Sequence, residues 1–497
     1  MNVGSSERLG FPAAGFVESI RSQPPLVVDL DGTLVRTDLL VESVLALLKD
    51  RPLCLFAIPV WMGRGKARFK QEVAKRILPE PRTLPWRTEL IDYLVQQRSD
   101  GRSVVLATAS DIAIARCVAD HLALFDEVFA SDGHVNLRGE AKRGLLVARF
   151  GARGFDYAAD GGNGRCDLPV WSAARKAILV NAARGVGKAA ARLTDVDRVF
   201  SDRKIGWAER LRALRPNHWL KNLLVFVPLI AAHRLHDLAL FEKSLLAFVA
   251  FGCCASSGYL FNDLVDLESD RHHPQKRLRP FAAGDLPLSY ALLAGPALLL
   301  LGCFLGALVS PLVLVLLVTY CAMTVTYSLR IKKVVILDVL FLAGLYTVRI
   351  LAGSAATAIW PSHWLLAFST FLFFSLALVK RYSELAIMRR LDGDAAKARA
   401  YELSDGELLA AMGTASGYLA VLVLALYIAA DKARVLYSRP ELLWALCPLL
   451  LYWISHVWLT AHRGNMNHDP VVFTTSDRTS RILIVLMVAT AILALIG

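Results

Sequence analysis

From residue 216 onward the chain is a succession of apolar runs of about 18–20 residues with short polar loops between them, each able to cross a hydrocarbon core of ~30 Å as a helix. In lipid the backbone N–H and C=O groups have no water to pair with, so such a run must satisfy them within its own helix. The runs fall at about 222–238, 241–261, 289–308, 312–328, 335–355, 363–379, 414–430, 442–461 and 481–496, about nine spans by length alone. The first is the weakest, because it carries Pro228 and His233. Residues 1–215 read differently, with turns, charges and short apolar runs. At 55% hydrophobic and 20% charged residues the chain is too apolar for an ordinary soluble protein, so one soluble and one membrane part are expected.

Lysine and arginine number 56 against 43 acidic residues, a formal net charge of +13. This excess does not imply nucleic-acid binding, because it follows the loops between the apolar runs. One set of loops holds Arg271, Lys276, Arg277 and Arg279, then Arg330, Lys332 and Lys333, then Lys380, Arg381, Arg389, Arg390, Lys397 and Arg399, then Arg463 and Arg478. The opposite set holds far fewer, such as Arg234, Lys243, Lys432 and Arg434. The rich side is expected to face the cytoplasm. Residues 1–24 hold Gly, Ser and Pro and lack a basic stretch followed by a long apolar core, so the N-terminal part is expected to stay on that side, after a flexible start. The eight cysteines are scattered without a CxxC pattern, and no disulfide is expected.

Residues 262–280, NDLVDLESDRHHPQKRLRP, stand at the end of an apolar run. At ~100° per residue, Asp263, Asp266 and Asp270 share one helical face. Charges at that depth are expensive and therefore functional candidates. Three carboxylates suit Mg²⁺, which is usually shared with substrate phosphates, and the bases that follow suit the remaining phosphate charge. Other polar clusters accompany it. Residues 214–229 (LRPNHWLKNLLVFVPL) carry Arg215, Asn217, His218, Lys221 and Asn222; 327–340 carry Tyr327, Lys332, Lys333 and Asp338; KRYSEL at 380–385 carries Lys380, Arg381, Tyr382 and Glu384. Arg349 lies on the same face as Asp338 about three turns on and is a candidate partner for it.

In the N-terminal half, PLVVDLDGTLV at 25–35 reads as a buried strand that delivers Asp29 and Asp31 at its C-terminal edge. SVVLATAS ends in Thr108 and Ser110, and FDYAAD ends in Asp160, with Lys142 between them in GEAKRGLL. Two aspartates, a hydroxyl, a lysine and a further aspartate for Mg²⁺ make a phosphoryl-transfer set. KAILVNA reads as a last strand, before a basic, Ala-rich stretch.

These motifs resemble the haloacid dehalogenase (HAD) superfamily of phosphatases. The resemblance implies an α/β domain over 25–188 with a Rossmann-type parallel sheet and a helical cap at 38–98. It implies Asp29 as nucleophile and Asp31 as general acid/base, Thr108 and Lys142 on the phosphoryl group, and Asp29, Asp31 and Asp160 around Mg²⁺. The sequence departs from the family in separating Asp160 from Asp167 by GGNGRC and in carrying Ala159 where glycine is usual. Residues 189–214 are expected as a basic linker.

Residues 215–497 resemble the UbiA superfamily of membrane transferases, closest to its decaprenyl-phosphate phosphoribosyltransferase branch. The resemblance rests on RPxxWxKNxxVFxPL at 215–229, NDxxDxxxDxxHPxKRxRPxAAG at 262–284, YSLRIKK, and KRYxEL at 380–385. It implies an all-α bundle of about nine transmembrane helices. It implies Mg²⁺-dependent transfer of 5-phosphoribosyl from phosphoribosyl pyrophosphate to a polyprenyl phosphate, for lipid-linked sugar synthesis at the cytoplasmic membrane. Asp263, Asp266 and Asp270 would be the catalytic and metal-binding acids, with Asn262 beside them. Lys221, Lys276, Arg277 and Arg279 would neutralise donor phosphates; Lys332, Lys333, Lys380 and Arg381 would hold the lipid phosphate, with Tyr327, Asp338 and Tyr382 in the substrate site. Asp338 stands alone, with Leu342 where a second carboxylate would help bind another metal ion. The alternative is transfer of a prenyl group from prenyl diphosphate to an aromatic acceptor. The expected partners are these substrates and the bilayer, with a homo-oligomer left open and no nucleic acid.

Overall fold

The computed structural model describes residues 23–162, 166–202, 206–390, 401–466 and 469–496. It divides into two compact units, Met1–Lys204 and Ile205–Gly497. The expected flexible start lies almost wholly outside the described residues.

The first unit is a six-stranded sheet in the order β3-β2-β1-β4-β5-β6, every neighbouring pair parallel. The strands are β1 Leu26–Val28, β2 Val104–Asp111, β3 Glu127–Ser131, β4 Asp156–Ala159, β5 Lys176–Val180 and β6 Asp195–Phe200. Strand order reverses beside β1, which puts the C-terminal ends of β1, β2 and β4 at the switch point of an open α/β sheet. Strand alternation sends Leu26 and Val28 to one core, with Leu90, Leu94, Ile114 and Val118 from helices. Val27 points to the other, with Leu146, Trp171 and Ala190. A strand buried on both faces explains why LVV is uninterrupted by polar residues.

Two expectations are revised here. The sheet does not end at β5: residues 195–200, expected within the linker, form its edge strand. DVDRVF is half-buried only at Val196 and Phe200, and an edge strand tolerates the charges between them. The helices at 38–98 also divide. Leu39–Asp50, Cys54–Gly63 and Lys66–Ala74 share a small core of Leu47, Trp61 and Val73. Thr88–Ser99 instead packs on the sheet through Leu90 and Leu94.

The second unit is helical. Among the described residues eight helices are long and apolar enough to cross a membrane: Leu238–Val265, Leu288–Val309, Pro311–Leu329, Leu337–Thr357, His363–Arg389, Leu403–Ala429, Pro440–His462 and Arg478–Ile496. The first expected span is not among them. Residues Pro216–Phe226 form a 3₁₀ helix and Val227–Ala231 a short α-helix that stops before His233 at φ +54°. Its Val225 is fully buried, and a Cβ on Gly353 would lie 1.9 Å from the Val225 carbonyl oxygen, so that position must stay glycine for the two segments to touch.

Candidate functional site

The first site stands at the C-terminal ends of β1, β2 and β4. Asp29 follows β1 and accepts a hydrogen bond from Lys142 Nζ at 2.9 Å. Lys142 is buried on helix Glu140–Phe150 and also donates to the Tyr157 hydroxyl at 2.9 Å, which donates to Asp167 at 2.8 Å. Carboxylate oxygens of Asp29, Asp160 and Asp167 all lie within 4.8 Å of one another. The wide spacing between Asp160 and Asp167 therefore still returns the second acid to the first. Gly32 (φ +72°) makes this approach possible: a Cβ there would stand 2.2 Å from Asp160 Oδ2.

Asp31, expected with the metal ligands, has its carboxylate elsewhere. It accepts from Leu39 N at 2.8 Å and from Ser110 Oγ at 2.6 Å, and it is not one of the three clustered acids. The N-terminus of the first inserted helix captures it. Thr108 is fully buried on β2 and accepts from Ser110 N at 3.0 Å. Burial raises Asp29, with Lys142 opposing and Asp167 adding to the rise. Burial pushes Asp31 up to about 7, with Asp38 adding to it, and pushes Asp160 up to about 7, with Asp29 adding to it. Burial alone would depress Lys142, but Asp29 and Asp167 outweigh it and the amine stays charged. Three carboxylates against one ammonium leave negative charge in excess, and hard oxygen donors in that state fit Mg²⁺.

In the second unit each aspartate of the 262–280 string meets at least one cation, and Arg279 serves two of them. Asp263 pairs with Arg215 and lies 3.3 Å from Arg279; Asp270 accepts from Arg279 at 2.5 Å; Asp266 accepts from Lys332 at 2.8 and 3.0 Å. The long helix ends at Val265 and a short one, Leu267–His272, starts after Asp266, so the three do not share one uninterrupted helical face. Among the described residues they do not form a cluster of ligand atoms within 4.8 Å. The donor set still fits Mg²⁺ by its chemistry: the three carboxylates would hold the ion, leaving Arg215, Arg279 and Lys332 for phosphate oxygens. Asn262 and Lys276 are half-buried at this end, and Arg277 and Lys333 are exposed.

Asp338 is fully buried and pairs with Arg381 Nε at 2.5 Å and the Tyr401 hydroxyl at 2.6 Å; Arg381 also reaches Tyr327 and, at 2.6 Å, Glu384. Arg349, its expected partner, instead donates to Asn222 Oδ1 at 2.8 Å, to the Tyr320 hydroxyl at 3.0 Å and to the Leu345 carbonyl. Three turns place two groups on one face but about 16 Å apart along the axis, beyond any direct pair. Tyr382 meets His462 Nδ1 at 2.8 Å.

Lys221 and Lys380, expected on different phosphates, converge on one carboxylate: Asp469 Oδ2 lies 2.6 Å from Lys221 and 3.3 Å from Lys380. Burial would raise Asp469, but Lys221 and then Lys380 outweigh it and hold the carboxyl well below its usual range. Asp469 also caps helix Pro470–Ser476 through Val471 N at 3.2 Å. Sequence reasoning missed Asp469, Tyr401, Arg87 and Lys70. The Asp-Pro pair at 469–470 signals a helix start but not a partner. Arg87 holds the motif loop by donating to the carbonyls of Gly32 at 3.0 Å and Thr33 at 2.9 Å, and Asp202 anchors it at 2.5 Å.

Residues 223–476, just over half of the chain, match the UbiA prenyltransferase family. The chain belongs to that family and, with its eight apolar helices, is a multi-pass membrane transferase. An uncharacterised protein of Sinorhizobium fredii is 34% identical over 474 residues, covering 95% of this chain and 91% of that protein. The nodulation protein NoeC of Azorhizobium caulinodans is 37% identical over 286 residues, covering 56% and 91%. The decaprenyl-phosphate phosphoribosyltransferase of Mycobacterium tuberculosis is 34% identical over 184 residues, 36% of this chain and 61% of that enzyme. A solved UbiA homolog from Archaeoglobus fulgidus, bound to GPP and Mg²⁺, is 17% identical, covers 57% of this chain and 99% of that one, and superposes with a TM-score of 0.45.

Proposed function

We propose that the membrane unit transfers 5-phosphoribosyl from phosphoribosyl pyrophosphate to a decaprenyl-type polyprenyl phosphate, and that the N-terminal unit is a HAD-like phosphatase that removes the 5-phosphate from the product. The observation that carries this reading is the second basic group. Lys221 and Lys380 gather on Asp469, a different carboxylate from those that hold Arg215, Arg279 and Lys332. Two phosphate-bearing substrates require two such groups, whereas an aromatic acceptor requires one. Asp338, held by Arg381 and Tyr401, is committed to organising the bundle.

Mg²⁺, when bound, neutralises charge on the departing pyrophosphate. Arg215, Arg279 and Lys332 hold the remaining phosphate oxygens, and Lys221 and Lys380 orient the lipid phosphate. An oxygen of that phosphate attacks the anomeric carbon as the bond to pyrophosphate breaks, and pyrophosphate leaves with the electron pair. A phosphate is already anionic near neutral pH, so no strong base is needed. In the N-terminal unit Asp29 attacks the 5-phosphate as the bond to the ribose oxygen breaks. Asp31, with its raised pKa, gives that oxygen a proton, and water then cleaves the aspartyl phosphate, with Asp31 taking its proton. Both units would then work at the cytoplasmic face. The test is a dual-label assay: labelled ribose entering lipid supports the proposal, and labelled prenyl entering an aromatic ring refutes it.

A further inference from the structure

One lysine at the phosphatase site belongs to none of the motifs. Lys70 lies on the inserted helix Lys66–Ala74, yet its amine reaches the end of β2. It donates to the Ala109 carbonyl at 2.5 Å and to Asn136 Oδ1 at 2.8 Å. Ala109 stands between Thr108 and Ser110, the residue that holds Asp31. Among the described residues no carboxylate lies within salt-bridge distance of Lys70. Burial lowers its pKa, while Asp31 and Asp38 oppose that shift. An ammonium has three donors, and these two partners leave the third open. Holding two neutral oxygens does not require a charge, and desolvating one is costly. Lys142 already pairs with the nucleophile Asp29, whereas Lys70 reaches Ala109 and Asn136 instead. A cation beside the site but off its centre suits an anion elsewhere on the same substrate.

We propose that Lys70 is a specificity-determining residue that binds a second phosphate group on the phosphatase substrate, so that the unit prefers phosphomonoesters bearing another phosphoryl or phosphodiester group. This rests on the phosphatase reading of the N-terminal unit. It matches the chemistry of a lipid-linked sugar phosphate, which carries both a phosphomonoester and a phosphodiester.

The experiment uses the purified full chain in detergent with Mg²⁺ and measures phosphate release from ribose 1,5-bisphosphate and from ribose 5-phosphate. Wild type is expected to favour the bisphosphate in kcat/KM by about tenfold, the scale of one charge-assisted hydrogen bond. Lys70→Gln can still donate to Ala109 but has no charge; it is expected to lose that preference through KM while ribose 5-phosphate turnover stays within about twofold. Lys70→Arg is expected to restore the preference. Equal loss on both substrates would make Lys70 a brace or part of the chemistry and overturn the proposal, as would a wild type that treats the two alike. If wild type releases phosphate from neither, the phosphatase reading itself fails and the proposal falls with it.

Discussion

Each unit gathers three aspartates, and the two groups handle their charge in opposite ways. Asp29, Asp160 and Asp167 crowd within 4.8 Å around one ammonium, Lys142. Asp263, Asp266 and Asp270 are spread among Arg215, Arg279 and Lys332. Crowded acids short of positive charge make a site completed by a cation. Acids matched by bases would hold a metal on the carboxylates and a phosphate on the bases. The first arrangement suits hydrolysis of a bound phosphate; the second suits release of a metal-bound pyrophosphate.

The largest expected effect breaks the first group. Asp29→Asn should lower phosphate release by about 10⁴-fold, as loss of a nucleophile does, and phosphorylated lipid should accumulate in mass spectra. A product identical to that of wild type would sever the proposed link between the two units. Asp263→Ala should cost transfer about 10³-fold while the chain still folds, read as ribose incorporation into lipid. Arg381→Met leaves Asp338 buried with Tyr401 but without its cation, and should destabilise the membrane unit by about 3–5 kcal/mol, measured by thermal unfolding in detergent.

Titration separates the two groups more finely. Asp31 and Asp160 are raised from 3.8 to about 7, so between those values the folded N-terminal unit binds more protons than the unfolded chain. Its stability is therefore expected to fall as pH rises from 4 to 7 in a chelator, and Mg²⁺ should flatten the fall. Hydrogen exchange of the β1 amides reads this directly, and protection that rises with pH would contradict it. The smallest effect concerns Asp469. Asp469→Asn should raise KM for the polyprenyl phosphate about tenfold, by freeing two lysines that then repel each other, with a smaller change in KM for the donor.

Local pattern made much of this legible. Uninterrupted LVV followed by DLDGT announces a central strand ending in acids, and the 18-residue runs announce the bundle. What stayed hidden depends on distant partners. Helical periodicity puts Arg349 on the face of Asp338 but says nothing of the distance along the axis, and Arg381 and Tyr401 come from elsewhere in the chain. Pro228 weakens the first apolar run, but nothing local announces that Pro216–Phe226 winds as a 3₁₀ helix and lies close against Gly353 through Val225. DVDRVF looks like linker because an edge strand needs little apolar surface. The spacing of Asp160 and Asp167 departs from the HAD pattern, yet both acids reach one cluster with Asp29, because the number of residues between two acids does not fix the distance between their carboxylates.

The central claim is that the membrane unit has two phosphate-handling groups and joins a sugar phosphate to a lipid phosphate. The most direct measurement incubates purified protein with phosphoribosyl pyrophosphate, Mg²⁺ and a polyprenyl phosphate, and weighs the lipid by mass spectrometry. The account predicts a lipid heavier by a phosphoribosyl group in Asp29→Asn, and by a ribosyl group in wild type. An unchanged lipid mass in both proteins, with prenyl transfer to an aromatic acceptor when prenyl diphosphate is supplied, would contradict it.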